Sequence, residues 1–250
     1  MNLKNKLKCI IIILIFIISL SSCSISNLFQ TNGEYVSFDT INSLEETAKL
    51  GHVRVTLVKN IPFGGDITMG SGTIISEDDD SYYILTNNHV IYYDGNSIGL
   101  EYKVTDAYMN TYYATLLKKS AEYDLALLQI KKGNQKLYVF EYEDNVNIND
   151  TCIAIGDPKG QISVCTIGKI KNYSLFNPID DEELLVRSNV CFEVYTHTAK
   201  INNGSSGGAL LNEKLKLIGI NFASAINKET QEFIKGYAIP INKALEFINE

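Results

Sequence analysis

The sequence predicts an all-β protein, built as a sandwich or a pair of barrels. The pattern of short runs predicts the class, and composition and length set its size. Short strand-like runs recur along the chain between turn residues, and no long helical pattern separates them. Hydrophobic residues make up 45% and charged residues 20% of 250 positions, which is globular composition with enough apolar material for a full core. That length suits one large domain or two lobes sharing an interface. The formal charge is -7, and three lysines with no acid fall in the first 22 residues, so the remainder is more acidic still. Such a balance argues against a nucleic-acid groove, which needs clustered Lys and Arg.

The elements follow in order. Lys4, Lys6 and Lys8 precede an apolar run from Cys9 to Leu20, broken only by Ser19 and followed by Ser21-Ser22-Cys23. The run is shorter than the roughly 20 residues a membrane-spanning helix needs, so residues 1-22 read as a signal peptide. Leu20-Ser21-Ser22-Cys23 resembles a bacterial lipobox, which makes Cys23 the expected lipidated first residue of the mature chain. The expected location is extracytoplasmic, anchored to the cell membrane as a lipoprotein, with plain secretion as the alternative. Residues 23-42 have the polar composition of a tether.

Ser43 and Glu46 form an S-x-x-E capping box and Gly51 stands at the far end, so Leu44 to Leu50 is expected as a short helix. Val53, Val55 and Leu57 then alternate with Arg54 and Thr56, the period of a half-buried strand. Further strands are expected at Gly72 to Ser76, Tyr82 to Thr86, Ile98 to Val104, Tyr112 to Leu117, Leu125 to Ile130, Cys152 to Ile155, Ser163 to Ile170, Val190 to Tyr195, Ala209 to Leu211, Lys216 to Phe222 and Gly236 to Ile239. Pro240 to Glu250 reads as a closing helix, with Pro in its first turn and Ala244, Leu245 and Ile248 on one side. Outside the export segment the cysteines are Cys152, Cys165 and Cys191, an odd set in which no disulfide scaffold is expected.

The chemistry concentrates in Ile201 to Leu211, where Ser206 stands among glycines. Glycines let the backbone approach a ligand closely, so that successive N–H groups can meet one oxygen while the hydroxyl stays exposed. Taken alone, the segment reads equally well as a Gly-Ser turn. A serine nucleophile needs a base, and a carboxylate to fix the base's tautomer. His89 follows the apolar strand Tyr83 to Thr86, and Asp124 immediately precedes Leu125 to Ile130. The order His, Asp, Ser is the arrangement to explain.

Gly204 to Gly208 also fits G-x-S-x-G, but that elbow requires a histidine after the serine and none follows Ser206. A Cys152 nucleophile with His197 is disfavoured because Cys152 looks like a packed strand residue, and a subtilisin-like order would place the Asp before the His. Gly70-Ser71-Gly72 is no phosphate loop, since a strand follows it. Glu77 to Asp80 reads as a solvated turn rather than a calcium loop, and the sequon at Asn203 lies inside the suspected site. His52 on a strand and His197 in a loop before the serine read as structural. No metal and no cofactor are expected.

From about Ile41 to Glu250 the chain resembles the HtrA/Deg branch of chymotrypsin-fold, trypsin-like serine proteases. Gly70-Ser71-Gly72-Thr73-Ile74-Ile75-Ser76 resembles its G-S-G-x-I-I-S strand, and Ile84 to Val90 its histidine motif. Asp124-Leu125-Ala126-Leu127-Leu128 matches D-L-A-L-L, and Ile201 to Leu211 resembles I-N-x-G-N-S-G-G-x-L-L. Ile153 to Pro158 and Tyr237 to Asn242 fit as well. The resemblance implies two antiparallel six-stranded β-barrels with a short N-terminal and a C-terminal helix, the first barrel in 43-142 and the second, with the helix, in 143-250. It implies a serine endopeptidase acting on polypeptides through an acyl-enzyme, with His89, Asp124 and Ser206 as triad and Gly204, Ser205 and Ser206 forming the oxyanion loop.

The P1 pocket would involve Lys200, Ile201, Asn221, Phe222 and Ala223. A Lys200 ammonium facing that pocket would favour an acidic P1 residue; turned away, it would leave Ile201 and Phe222 to favour a small apolar one. Ser205 departs from the family's usual Asn or Asp. The family often carries a PDZ domain after the protease, which is not expected here, and its members occur as trimers, so monomer and trimer both stay open. The rival reading from another class is an inert protease-fold binding protein or holdase.

Overall fold

A computed structural model describes residues 30–31, 34–35, 38–61, 64–93, 99–177, 182–184 and 188–250. The expected export segment and Cys23 lie outside these residues. The chain divides into two units, Met1–Ser43 and Leu44–Glu250. In the first, β1 (Gln30–Thr31) pairs with β2 (Glu34–Tyr35).

Helix α1 spans Phe38–Leu50, six residues longer than its capping box suggested. Ser43 therefore lies inside the helix, and the helix begins within the stretch read as tether. Gly51 ends the helix without a left-handed turn. Its lack of a side chain serves packing, because a Cβ there would lie 2.4 Å from the Phe140 ring.

The first barrel closes in the order β3 (His52–Ile61), β4 (Gly64–Glu77), β5 (Ser81–Thr86), β8 (Leu125–Lys131), β7 (Thr111–Ser120) and β6 (Gly99–Thr105), with a short helix α2 (Asn88–Ile91) after β5. Alternation explains its filling: Val53 and Val55 of β3 meet Ile74, Ile84, Val104, Leu128 and Ile130 in one buried cluster. The second barrel comprises β9 (Thr151–Gly156), β10 (Val164–Leu175), β12 (Glu193–His197), β13 (Ala209–Asn212), β14 (Leu217–Asn227) and β15 (Phe233–Pro240). It closes because β14 pairs with both β13 and β15, and β11 (Glu182–Leu184) adds a short strand to the far end of β14. Closure leaves neither six-stranded ring with an open edge.

Several strand expectations change: β4 begins at Gly64 rather than Gly72, β10 runs on to Leu175 and β14 to Asn227. Residues 190–192 do not join β12, which instead runs to His197, so the histidine read as a loop residue ends a strand and is fully buried. The strand β11 carried no apolar run and was missed. The closing helix α3 spans Ile241–Asn249 with Pro240 as its N-cap, and its buried seam is Ile241, Ala244 and Phe247, while Leu245 and Ile248 are half-buried.

The largest apolar cluster belongs to neither barrel alone. Leu85 and Leu125 of the first barrel, Ile155, Leu211, Ile220 and Phe222 of the second, and Phe247 of α3 share it. Leu217 to Ile226 of β14 are buried throughout, the polar Asn221 and Ser224 included. Lys118 Nζ donates to the Phe247 carbonyl at 2.5 Å and Tyr123 Oη to Glu250 Oε1 at 2.7 Å, tying α3 back to the first barrel.

Candidate active site

His89 and Asp124 come from neighbouring strands. Thr86 of β5 pairs with Ala126 of β8, so the residues just past one strand and just before the other fall side by side. Four hydrogen bonds join the two segments. Asn88 N–H and Asn87 Nδ2 donate to the Asp124 carbonyl at 3.1 and 2.9 Å. His89 N–H donates to Asp124 Oδ1 at 3.0 Å, and His89 Nδ1 lies 2.8 Å from Asp124 Oδ2. An ionised carboxylate only accepts, so Nδ1 carries the proton and Nε2 is left with a lone pair. Asp124 sits in the left-handed region at φ 51° and is 3% exposed, so its charge is held in place by the backbone turn and by these donors. Ser188 Oγ supplies one more, donating to Oδ2 at 3.0 Å.

Both barrels hold the loop bearing Ser206, and three of its hydrogen bonds come from β4 of the first. Ser71 N–H donates to the Ser206 carbonyl at 2.8 Å, Ser71 Oγ to the Gly204 carbonyl at 2.7 Å and Thr73 Oγ1 to the Gly207 carbonyl at 3.0 Å. The G-S-G-T strand thus places its hydroxyls against the carbonyls of the serine loop. Within the loop, Ser205 N–H donates to the Asn202 carbonyl at 2.8 Å and Asn202 N–H to Ser205 Oγ at 3.2 Å, closing a tight turn. Gly204 has φ 96°, and a Cβ there would lie 2.3 Å from the Asp157 carbonyl oxygen. Only glycine meets both conditions.

Ser206 Oγ donates to the Phe222 carbonyl at 3.4 Å. Between Asn221 and Ala223 the pairing of β14 with β15 shifts by one residue, which makes Phe222 the extra residue of a bulge and turns its carbonyl toward the serine. A pocket beside the hydroxyl is lined by Ile201, Asn202, Asn203, Ser205, Ser206, Ala223 and Ser224. Of the five residues assigned to the pocket from sequence, Ile201 and Ala223 line it. Asn221 and Phe222 are fully buried, and Lys200 is exposed, with its carbonyl accepting from Thr166 Oγ1 at 2.9 Å. Ser224 belongs to the lining without having been singled out.

The arrangement offers a hydroxyl, a paired imidazole and a glycine-rich loop at the junction of two barrels, which is equipment for acyl transfer. Burial pushes the Cys152 thiol up to about 12, which leaves it a poor nucleophile. Sequence reasoning missed Asn87 and Ser188. Asn87 lay inside the quoted histidine motif with no role attached, whereas nothing in the chain marks a serine 64 residues from Asp124 as its partner.

Residues 70–220 match the family of trypsin-like peptidase domains. A probable serine protease do-like of Buchnera aphidicola subsp. Acyrthosiphon pisum (strain APS) is 34% identical over 179 residues, 70% of this chain and 33% of that protein. A probable periplasmic serine endoprotease DegP-like of Rickettsia prowazekii (strain Madrid E) is 33% identical over 231 residues, 86% of this chain and 42% of that one. The serine protease Do-like HtrA of Bacillus subtilis (strain 168) is 34% identical over 176 residues, 69% and 37% of the two chains. The chain therefore spans well under half the length of these curated relatives. An HtrA-type protease solved with a tripeptide superposes with a TM-score of 0.64 at 27% identity, covering 86% of this chain and 63% of that one.

Proposed function

Since the chain belongs to the trypsin-like peptidase domain family and is HtrA-like within it, we propose that it is a serine endopeptidase using Ser206, His89 and Asp124. The observation that carries this reading is the His89 Nδ1 to Asp124 Oδ2 contact of 2.8 Å, with Gly70 packed against both Val90, the residue after His89, and the Ser206 carbonyl. In the proposed cycle the Ser206 hydroxyl turns from the Phe222 carbonyl, gives its proton to His89 Nε2 and attacks the scissile carbonyl. Asp124 keeps Nδ1 protonated and stabilises the imidazolium. The oxyanion takes hydrogen bonds from the N–H groups of Gly204 and Ser206, on either side of Ser205; among the described residues neither N–H has an acceptor of its own. His89 then protonates the leaving amine, and water enters by the same route in reverse to release the acyl group from Ser206.

Polypeptides are the proposed substrates. Ile201 and Ala223 line the pocket and favour a small apolar P1 residue, whereas Lys200 is not part of that lining. An extracytoplasmic location, with Cys23 lipidated, is supported by the N-terminal pattern and by relatives described as periplasmic endoproteases. Among the described residues no helix is long and apolar enough to cross a membrane.

Intact mass spectrometry of protein purified from membranes, before and after treatment with a fluorophosphonate, tests both parts. One adduct is expected on the parent and none on Ser206→Ala or His89→Ala, and the untreated mass should begin at Cys23 with a lipid increment. A folded parent that takes no adduct between about pH 6 and 9 sinks the hydrolase reading in favour of a binding protein. A mass lacking the increment sinks the anchor alone. Hydrolysis of matched peptides with Val or Glu at P1 should favour Val, and a preference for Glu would return Lys200 to the pocket.

A further inference from the structure

A second buried His–Asp contact lies away from the triad. His52 and Arg54 are alternate positions on β3 of the first barrel, and both reach Asp157, the residue after β9 of the second. His52 Nε2 lies 2.8 Å from Asp157 Oδ1, and Arg54 Nε donates to Oδ2 at 2.7 Å. Ser163 N–H donates to Oδ1 at 2.8 Å, and Arg54 Nη2 to the Gly160 carbonyl at 3.0 Å. His52 is 1% and Asp157 3% exposed. Burial by itself would raise the Asp157 carboxyl, but the His52 and Arg54 contacts and the Ser163 N–H outweigh it and hold the group below its ordinary 3.8. A charge this buried persists only with such partners.

What this carboxylate holds is the turn 157–163, and that turn grips the serine loop. Lys159 N–H donates to the Asn203 carbonyl at 2.7 Å. Asp157 N–H donates to Ser71 Oγ at 2.9 Å, and the same oxygen donates to the Gly204 carbonyl at 2.7 Å. The Asp157 carbonyl oxygen packs so closely on Gly204 that no Cβ fits between them. The Asn203–Gly204 peptide is trans, so its carbonyl and its N–H point in opposite directions. With the Asn203 carbonyl fastened to Lys159, the Gly204 N–H must point away from the turn. A flip of this peptide would replace a donor to the oxyanion by a carbonyl.

We propose that Asp157, clamped by His52 and Arg54 across the barrel interface, is a positioning residue that fixes the Asn203–Gly204 peptide with its N–H available to the oxyanion. The inference rests on the serine endopeptidase reading for its catalytic consequence and on geometry alone for its structural one. It also gives His52 a role that its place on a strand did not suggest.

The test compares the full-length parent with Asp157→Asn, Arg54→Gln and Arg54→Lys. Hydrogen exchange by mass spectrometry follows peptides covering 157–163 and 201–208, and steady-state hydrolysis of a nitrophenyl ester gives kcat and KM. In Asp157→Asn the amides of Lys159 and Ser205 should exchange at least about tenfold faster, with β5 and β8 unchanged. Loss of an oxyanion donor predicts a fall in kcat of about 10²-fold, with KM within about twofold. Arg54→Gln, at a side chain that is 19% exposed, should move both readouts the same way by less, and Arg54→Lys should recover part of the loss. It also serves if Asp157→Asn does not fold.

Unchanged exchange in folded variants overturns the proposal, whatever the ester kinetics. Faster exchange with parental kcat overturns it too, because the peptide would then be mobile without consequence. A parent that neither hydrolyses the ester nor takes the fluorophosphonate counts against the endopeptidase reading; the exchange comparison still decides whether the clamp holds the peptide.

Discussion

Single residues in this protein are decided by who surrounds them. Its three histidines show this: His89 is partly exposed and paired with Asp124, His52 is buried against Asp157, and His197 is buried with no ion pair among the described residues. Burial pushes the His197 imidazole down to about 4, and contacts from Asn221 and the Ala199 backbone offset only part of that. The ring stays neutral in the folded chain down to that pH, whereas the unfolded chain takes up its proton near 6.5. Stability from this residue is therefore complete above about pH 6.5 and is lost as pH falls toward 4, by up to about 3 kcal/mol. Urea unfolding at pH 7 and 4.5 should show that loss in the parent and a flatter dependence in His197→Gln. Equal slopes in both would place the acid sensitivity elsewhere. The sequence marks all three histidines but not their environments, since Asp157 and Asn221 lie in segments distant along the chain.

Elements were legible where a period or a run of apolar residues marks them. The expected core of β5 and β8 coincides with the observed strands to within a residue, because Ile84 and Leu128 face the barrel interior and their neighbours bound the run. Boundaries failed where tertiary contacts outweigh local signals. Ser43 with Glu46 satisfies the pattern of a helix start, yet α1 runs through it from Phe38. Gly51 satisfies the pattern of a helix end, but its constraint is the Phe140 ring, from a segment almost ninety residues further on. Gly51→Ala should cost about 1–3 kcal/mol through overpacking, measured as a lowered urea midpoint. Phe140→Leu in the same chain should return part of it. A destabilisation unaffected by the second change would mean that backbone conformation, rather than the ring, requires glycine at this position.

At the scale of the whole molecule, the core shared by the barrels governs both stability and the site. Leu85, Leu125, Ile155, Ile220, Phe222 and Phe247 form one cluster across the junction, and the hydroxyls of Ser71 and Thr73 cross it to hold the serine loop. Neither barrel can lose its fold without exposing part of the other's core. The chain should therefore unfold in one cooperative step, with far-UV circular dichroism and the fluorescence of its 15 tyrosines, undisturbed by any tryptophan, giving coincident urea transitions. Two separated transitions would show that the barrels are energetically independent. The sequence by itself determined the strand periods, the glycines of the serine loop and the order of histidine, acid and serine, because each is written in consecutive residues or in chain direction. Only the tertiary structure decided that Ser188 reaches Asp124, that the Lys200 carbonyl accepts from Thr166, and that His52 and Arg54 meet Asp157 beneath Gly204. Those are contacts between segments far apart in the chain, fixed by barrel closure and by the junction, where no local pattern records them.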